Sequence, residues 1–349
     1  MKALNYIGWD VGGAHLKVAS INDSGKLEFV EQFATPLWQG LDQLENIFPK
    51  SIEKLPDGTL THALTITAEL VDIFENRESG VKKLLKLFEK KLGSNIKVYS
   101  IECGLLSLNE AYKSVNKLAS ANWYASTSYV ASLLESGLFI DVGSTTTDII
   151  PFSNKLVNAY GVDDQSRLHF DELVYTGVVR TPLMALTKQA PFAGKWQNII
   201  AEYFSDTADI YRILGTLDDK DDLMDTADGN EKDLVSSIRR LARMLGVDSN
   251  KFKHDDVCWI KLARYFEEIQ VQLLTKAIIR VLSHDTSSNK TIVAAGIGDF
   301  LVKKIADRMS IPYVEFGELC TTDSYLTHRC NSCAPAVALA QLNRHLSRR

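Results

Sequence analysis

The hydrophobic and polar positions of this chain describe the same unit twice. Three apolar, strand-like stretches separated by polar or glycine-containing turns open the sequence, at 4–11, 16–21 and 27–34. Short apolar runs bounded by Gly, Asn, Asp and Ser are typical of an antiparallel meander. Three further stretches of the same kind follow in the middle of the chain, at 138–142, 147–152 and 156–159. The pattern therefore predicts a duplicated architecture.

Elsewhere the periodicity alternates between helix and strand, which favours an α/β fold. Helical spacing is present at 41–55, 81–92, 106–118, 123–134, 257–282, 300–309 and 334–346. Strand-like runs are present at 62–68, 96–101, 291–295 and 313–316. We predict a first lobe over 1–136, a second lobe over 137–349, and an inserted acidic subdomain or lid at about 161–256. Within the insert, we expect the charged run at 217–222 to be a solvated loop.

Composition narrows the class of ligand. With 349 residues and 45% hydrophobic composition, the chain can bury two cores. A net charge of -5 gives no electrostatic case for nucleic acid or an anionic membrane, so small-molecule substrates are expected. No signal peptide and no membrane-length apolar run precede or interrupt the pattern, which predicts a cytoplasmic protein. A homo-oligomer is compatible with the sequence, which does not determine the oligomeric state.

The cysteines offer little chemistry. They number five and are scattered along the chain, which argues against a disulfide framework. Cys330 and Cys333 have metal-ligand spacing, and His328 and Cys320 lie nearby. Because no second Cys-x-x-Cys is present, we expect these two cysteines to pack at the start of the last helix.

The turn after the first strand is the first candidate for phosphate binding. Asp10 ends an apolar run, and Gly12 and Gly13 allow backbone N–H groups to approach an anion. Lys17 follows on the returning strand and can point back at phosphate oxygens. The alternative is an ordinary hairpin turn.

The second meander carries a related turn with more hydroxyl groups. It begins at Asp141, and its further candidate residues are Gly143, Ser144, Thr145, Thr146 and Asp148. Hydroxyl groups suit phosphate oxygens and carboxylates suit Mg²⁺, for which Asp10 and Asp141 are the expected ligands. The alternative is a turn that satisfies its own backbone. Two Asp-led turns in one chain favour a shared cradle for a metal-bound polyphosphate.

A third glycine turn follows the strand at 291–295. Gly296 and Gly298 would let a nucleotide base, a sugar or another planar group lie against the backbone. A simple helix start capped by Asp299 explains the same residues. Arg180 lies either near an anion at the cleft or in a surface loop.

These three turns resemble the phosphate-1, phosphate-2 and adenosine motifs of the actin, sugar-kinase and heat-shock chaperone superfamily. The second turn is most similar to the hydantoinase A and 5-oxoprolinase branch, with Ser144 where that branch usually has glycine. The resemblance implies a duplicated ribonuclease H-like (actin-like) fold, with two lobes around a phosphate-binding cleft. It also implies Mg²⁺ and either ATP or a diphosphate-bearing substrate as ligands.

Within this branch, the short chain and the segments 8–17, 67–70 and 121–123 resemble proteins linked to tetrahydromethanopterin-dependent one-carbon metabolism. The similarity covers nearly the whole chain. It implies a transferase that joins an (aminomethyl)furan-methyl diphosphate to the phenol oxygen of γ-glutamyltyramine in methanofuran synthesis, or methylofuran synthesis in a bacterial counterpart. Diphosphate would be released.

For that reaction the catalytic candidates are Lys17, Asp141 and Glu69. Lys17 and Asp141 would neutralise charge on the departing diphosphate, together with Mg²⁺. Glu69 directly follows the strand-like run at 62–68 and is the candidate base for the phenol. The alternative is an exposed strand-end Glu or a helix cap. Asn122 and Trp123 would line the substrate pocket, unless the aromatic is simply core.

Two alternatives stay open. An ATP-dependent cyclic-amide hydrolase of the hydantoinase or oxoprolinase kind would also use the second and third turns, although such enzymes are usually longer or work with a second subunit. A non-catalytic nucleotide-binding regulatory protein would close around its ligand without turnover.

Overall fold

Two mixed β-sheets organise the molecule in a computed structural model, which describes residues 3–252, 256–284 and 290–348. The first sheet has the order β3-β2-β1-β4-β5-β6, and its strands are β1 (Leu4–Val11), β2 (His15–Asn22), β3 (Leu27–Ala34), β4 (Thr59–Ile66), β5 (Ile96–Ser100) and β6 (Gly104–Ser107). Its helices are α1 (Asp42–Glu53), α2 (Arg77–Leu92), α3 (Leu108–Lys113) and α4 (Asn122–Leu133). β1 is antiparallel to β2 and parallel to β4, which is parallel to β5.

The second half contains the second sheet and a separate hairpin. Its strands are β7 (Ser136–Val142), β8 (Thr147–Ser153), β9 (Leu156–Val157), β10 (Leu173–Val174), β11 (Gln189–Phe192), β12 (Lys195–Asn198), β13 (Thr291–Ala295) and β14 (Tyr313–Glu315). Its helices are α5 (Asp164–His169), α6 (Leu183–Leu186), α7 (Thr207–Leu214), α8 (Leu234–Arg243), α9 (Asp256–Leu282), α10 (Asp299–Met309), α11 (Ser324–Ser332) and α12 (Ala334–Ser347). Short 3₁₀ turns occur at Leu37–Gln39, Val115–Lys117, Ser249–Phe252 and Phe316–Leu319.

The two sheets repeat one topology. β7 is antiparallel to β8 and parallel to β13, which is parallel to β14. The series β2-β1-β4-β5 therefore corresponds to β8-β7-β13-β14. This repetition confirms the predicted duplicated ribonuclease H-like α/β fold.

The third strand of the second meander differs from its prediction. Instead of one strand over 156–159, β9 pairs with the far end of β8, and β10 pairs with the end next to the turn. α5 lies between β9 and β10 in the chain. The expected edge strand is thus divided, and α5 is brought beside the second turn.

The predicted helix at 106–118 was also partly wrong. β6 pairs with β5 up to Ser107, and the helix begins only at Leu108. Ser107 and Glu110 form a reciprocal capping box, which is a sequence signature of a helix start. Pairing with a neighbouring strand therefore overrides the helical periodicity before that cap.

The last helix of the chain packs on the first strand. A Cβ at Gly8 would lie 1.9 Å from the carbonyl oxygen of Ala336, so only glycine permits this approach of β1 and α12. Cys330 and Cys333 are buried in the same core. The division at 136 and 137 stays a prediction, because α12 contacts strands of the first half.

The charged run at 217–222 is only in part the solvated loop that the sequence predicts, because 218–220 are exposed whereas the last two residues are buried. Asp221 and Asp222 are only 2% and 5% exposed. Arg212 donates two hydrogen bonds to Asp222, at 2.6 and 2.9 Å. Gln32 and His328 contact Asp221 from distant parts of the chain, at 2.8 and 2.9 Å. Local sequence patterns show only that the run is acidic. They do not predict these partners, which lie elsewhere in the chain.

Among the helices of the described residues, none combines the length and apolar character that crossing a membrane requires.

Candidate active site

The two Asp-led turns open into one cleft of about 320 Å³. From the first half of the chain it is lined by Asp10, Gly12, Gly13, Ala14, His15, Lys17, Thr67, Leu70, Ser120, Asn122 and Trp123. From the second half it is lined by Asp141, Gly143, Ser144, Thr145, Thr146, Asp148, Asp164, Arg167, Leu173, Tyr175 and Arg180. The fold thus brings together every predicted site residue of the first two turns.

Strand register explains the position of the charged groups. In the β1–β2 hairpin, Asp10 lies directly opposite Lys17. In the β7–β8 hairpin, Asp141 lies directly opposite Asp148. Directly opposed residues of an antiparallel pair project from the same face of the sheet. The first hairpin therefore presents a carboxylate and an ammonium group. The second hairpin presents two carboxylates at the equivalent positions.

The backbone of both turns is suited to an anion. Leu37 and Thr35 donate to the carbonyl oxygens of Gly13 and Ala14, at 3.0 and 2.8 Å. Val178 donates to Gly143, while Val179 and Arg180 donate to Ser144. Within the described residues, the N–H groups at positions 13, 14, 144 and 145 donate to no protein acceptor. With carbonyls engaged and N–H groups free, such turns favour negatively charged ligands.

The second turn is held from behind by a close backbone approach. A Cβ at Gly177 would lie 2.5 Å from the backbone of Ser144 and Thr145. Ser144 itself does not adopt a left-handed φ. Its replacement of the family's usual glycine therefore introduces no backbone strain.

Burial and mutual repulsion control the ionisation of the central carboxylates. Burial raises the pKa of Asp10 to about 6, Lys17 opposes this rise, and Asp148 adds to it. Burial raises the pKa of Asp141 to about 7, again opposed by Lys17 and increased by Asp148 and Asp10. Burial lowers the pKa of Lys17, but the neighbouring acidic groups, first among them Asp10 and Asp141, together raise that pKa overall. A bound cation would relieve this repulsion.

Neither Asp10 nor Lys17 has a close ionic partner in the described residues. The buried Asp10 Oδ1 has no hydrogen-bond donor. No carboxylate lies within 4.0 Å of Lys17 Nζ. Both groups are thus available to a ligand. No cluster of three or more His, Cys, Asp or Glu side chains in the described residues forms a ready-made metal site. Mg²⁺ often uses only one or two carboxylates together with substrate phosphates, so the residues present fit that ion.

Asp148 has a partner that sequence reasoning missed. Arg167 of α5 is 2% exposed, and its NH2 group forms an ion pair with Asp148 Oδ1. The same NH2 group donates to the Glu172 carbonyl at 3.2 Å. The guanidinium lies 4.1 Å from the centroid of the Trp123 ring. Arg167 therefore connects the second turn to α4 of the first half. No local sequence pattern predicts these contacts of Arg167, because they depend on the division of the edge strand into β9 and β10.

His15 and Arg180 complete the cleft near the turns. His15 Nε2 is buried and has no hydrogen-bond partner in the described chain. Burial lowers the pKa of His15 to about 3, and Lys17 and Arg180 contribute to the decrease. His15 is thus neutral near pH 7. Arg180 lines the cleft, with NH1 3.5 Å from Thr145 Oγ1 and the guanidinium 5.3 Å from the Trp38 centroid.

The Glu69 region lies beside the turns but is organised differently from its prediction. Glu69 is 1% exposed and does not line the cleft, so it is not an exposed strand-end residue. Ser120 Oγ donates to Glu69 Oε1 at 2.8 Å, and Ser120 does line the cleft. Asn122 and Trp123 lie there as well.

The third glycine turn does not line the cleft. Gly296 has φ of +84°, and a Cβ there would lie 2.2 Å from the Val142 carbonyl oxygen. A Cβ at Gly298 would lie 2.5 Å from Val142 Cγ1. Both glycines therefore allow this turn to pack against the end of β7. Their predicted role in binding a planar group stays a prediction.

Comparisons with known proteins agree with this architecture. A sequence profile of the hydantoinase/oxoprolinase family matches residues 61–342. A protein of Methanocaldococcus jannaschii is 32% identical over 307 residues, which span 87% of this chain and 89% of the relative. It is named (4-{4-[2-(gamma-L-glutamylamino)ethyl]phenoxymethyl}furan-2-yl)methanamine synthase. A protein of Methanococcus vannielii with the same name is 33% identical over 166 residues, 48% of this chain and 72% of the relative.

Among solved structures, the nucleotide-free acetone carboxylase matches with a TM-score of 0.53. The match covers 97% of this chain and 70% of the carboxylase at 8% identity, and it supports the fold alone. The family and the synthase names of the relatives indicate an enzyme. The extent of the profile match and the identity to the synthases show that the chain belongs to the hydantoinase/oxoprolinase family.

Proposed function

We propose that this protein is a transferase that joins a furan-methyl diphosphate to the phenol oxygen of a glutamyltyramine-type acceptor and releases diphosphate. The observation that carries the proposal is the shared cleft, in which two anion-binding turns meet beside an aromatic and hydroxyl-bearing wall. The relatives' names describe a product with a phenoxymethyl-furan ether and a gamma-glutamylamino group. Methylofuran or methanofuran synthesis is the corresponding pathway.

The diphosphate would be bound by the two turns. Free N–H groups at positions 13, 14, 144 and 145 offer hydrogen bonds to its oxygens, as do the hydroxyls of Ser144, Thr145 and Thr146. Lys17 would neutralise part of its charge, since no protein carboxylate lies within 4.0 Å of its ammonium group in the described residues. Asp10 and Asp141 would hold Mg²⁺. When bound, Mg²⁺ supplies further stabilisation of the charge that develops on a leaving diphosphate.

The acceptor would occupy the other side of the cleft. Leu70 and Tyr175 are exposed apolar side chains there, and Trp123 adds an aromatic edge. Asn122 offers an amide for hydrogen bonding. The acceptor's phenol must lose its proton as the new C–O bond forms, and Glu69 is the proposed base. Burial raises the pKa of Glu69, which makes the carboxylate a better proton acceptor.

The test is an assay of the purified protein with Mg²⁺, a furan-methyl diphosphate and γ-glutamyltyramine. We expect diphosphate release that requires both organic substrates, and an ether product detectable by mass spectrometry. Parallel reactions contain ATP with hydantoin or 5-oxoproline. ATP hydrolysis stimulated by a cyclic amide, without diphosphate transfer, would show instead the hydrolase alternative. Nucleotide binding without any product would favour the regulatory alternative.

A further inference from the structure

Ser120 adopts a backbone conformation that residues with a Cβ rarely adopt. Its φ is +51°, in the left-handed region. For a residue with a Cβ this conformation is uncommon, and such strain persists only where the surrounding structure imposes it. Here the Ser120 N–H donates to the Ile66 carbonyl at 3.0 Å, which ties the residue to the end of β4. The fold therefore holds Ser120 at one place on the cleft wall.

The hydroxyl of Ser120 connects the cleft to a buried carboxylate. Ser120 Oγ donates to Glu69 Oε1 at 2.8 Å. Glu69 Oε2 is buried without a partner in the described residues. A Cβ at Gly80 would lie 2.6 Å from the Glu69 carbonyl oxygen, so α2 packs closely against this residue. Ser120 lines the cleft and Glu69 does not, so a substrate would meet the hydroxyl first.

The charges around Glu69 leave it a competent proton acceptor. Burial is the main cause of its raised pKa, and Asp164 adds to the rise. Its own backbone N–H, the Ser120 hydroxyl and Arg77 lower the pKa by smaller amounts. Because the Ser120 hydrogen is directed to Glu69, the lone pairs of Oγ stay available to accept a hydrogen bond from a ligand.

We propose that Ser120 and Glu69 form a proton relay that deprotonates the phenol acceptor, an inference that rests on the proposed function. The phenol O–H bond breaks as its proton moves to Ser120 Oγ, and the Ser120 proton moves to Glu69 Oε1. The phenol oxygen forms its bond to the furan-methyl carbon. The bond from that carbon to diphosphate breaks, and its electron pair leaves with the diphosphate. Glu69 ends the reaction protonated and returns its proton through Ser120 after product release.

Ser120→Gly is the informative variant, because glycine accepts a φ of +51° and the change removes the hydroxyl-bearing side chain without adding backbone strain. We expect Ser120→Gly and Glu69→Gln each to lower kcat about 10²–10³-fold with γ-glutamyltyramine, and to change KM little. Ring-fluorinated acceptors whose phenol ionises near neutral pH should recover at least about tenfold of that loss, since they need little help from a base. Ser132→Ala, which removes a hydroxyl bonded to the Tyr129 carbonyl on α4, should leave kcat unchanged.

Thermal unfolding and circular dichroism would establish that each variant folds. Full kcat in Ser120→Gly would overturn the relay, as would equal losses with all acceptors regardless of phenol acidity. Should Ser120→Gly fail to fold, Glu69→Gln with the same fluorinated series decides the question. If the wild-type protein releases no diphosphate with any acceptor, the proposed function fails and the relay fails with it. If wild-type transfer is normal and the variants show no dependence on phenol acidity, only the relay fails.

Discussion

The two hairpin turns share a backbone plan and differ in charge. In both, an Asp is the second-last residue of the first strand, and the residue directly opposite it lies near the start of the returning strand. That opposite residue is Lys17 in the first turn and Asp148 in the second. Arg167 pairs with Asp148, whereas no carboxylate among the described residues pairs closely with Lys17. The duplicated topology thus supplies equivalent geometry, and the position opposite the Asp carries opposite charges in the two turns.

The second turn should tolerate change least, and Asp141→Asn should have the largest effect. We expect kcat for diphosphate release to fall about 10³-fold, because a neutral amide holds Mg²⁺ far less well than a carboxylate. Steady-state kinetics over a range of Mg²⁺ concentrations measure the effect. Asp307→Asn, at an exposed position on α10, is the matched control. Full activity in Asp141→Asn would mean that the metal is bound elsewhere.

The buried ion pair behind the second turn can be compared with a more exposed ion pair for its contribution to the free energy of unfolding. Arg167→Met would leave the carboxylate of Asp148 without its partner, and we expect a loss of about 3 kcal/mol in the free energy of unfolding. Arg77→Met breaks a more exposed Arg–Asp pair, in which the Arg77 side chain is 40% exposed, and should cost at most about 1 kcal/mol. Urea denaturation of both variants measures the difference. Equal losses would indicate that burial of Arg167 contributes nothing.

The first turn should depend on its ammonium group. Lys17→Met keeps the length of the side chain and removes the charge, so kcat should fall about 10²-fold. The rise in KM for the diphosphate substrate should be larger than that for the acceptor. Lys97→Met, on β5 and outside the cleft, serves as a control for loss of a lysine in the same sheet. An unchanged KM for the diphosphate would separate Lys17 from phosphate binding.

The raised pKa values of the carboxylates predict a pH dependence of stability. Folded Asp141 and Asp10, with pKa values of about 7 and 6, hold protons that the unfolded chain has released above about pH 4. Stability from these groups is therefore greatest at low pH and is lost as pH rises from about 4 to 7. In EDTA, Asp141→Asn should gain on the order of 2 kcal/mol relative to wild type between pH 5 and pH 8. Denaturation at both pH values measures this, and a pH-independent difference would contradict it.

The sequence predicts an element correctly where the residues that determine it are close together in the chain. The strands 4–11, 27–34 and 291–295 have the predicted bounds, because each apolar run and the turn residues that bound it are adjacent in the sequence. The edge strand at 156–159 was wrong, since pairing on one side of β8 was interrupted by α5. The relation of Glu69 to Ser120 was likewise out of reach, because 51 residues separate them.

The sequence by itself determined the two β-hairpins of the duplicated unit and the two Asp-led turns that they carry. Those features depend on local periodicity and on the spacing within one hairpin. Only the tertiary structure decided that the turns share one cleft, that Arg167 stacks on Trp123, and that Asp221 is buried. These contacts join segments far apart in the chain, and packing of whole sheets and helices determines which side chains meet.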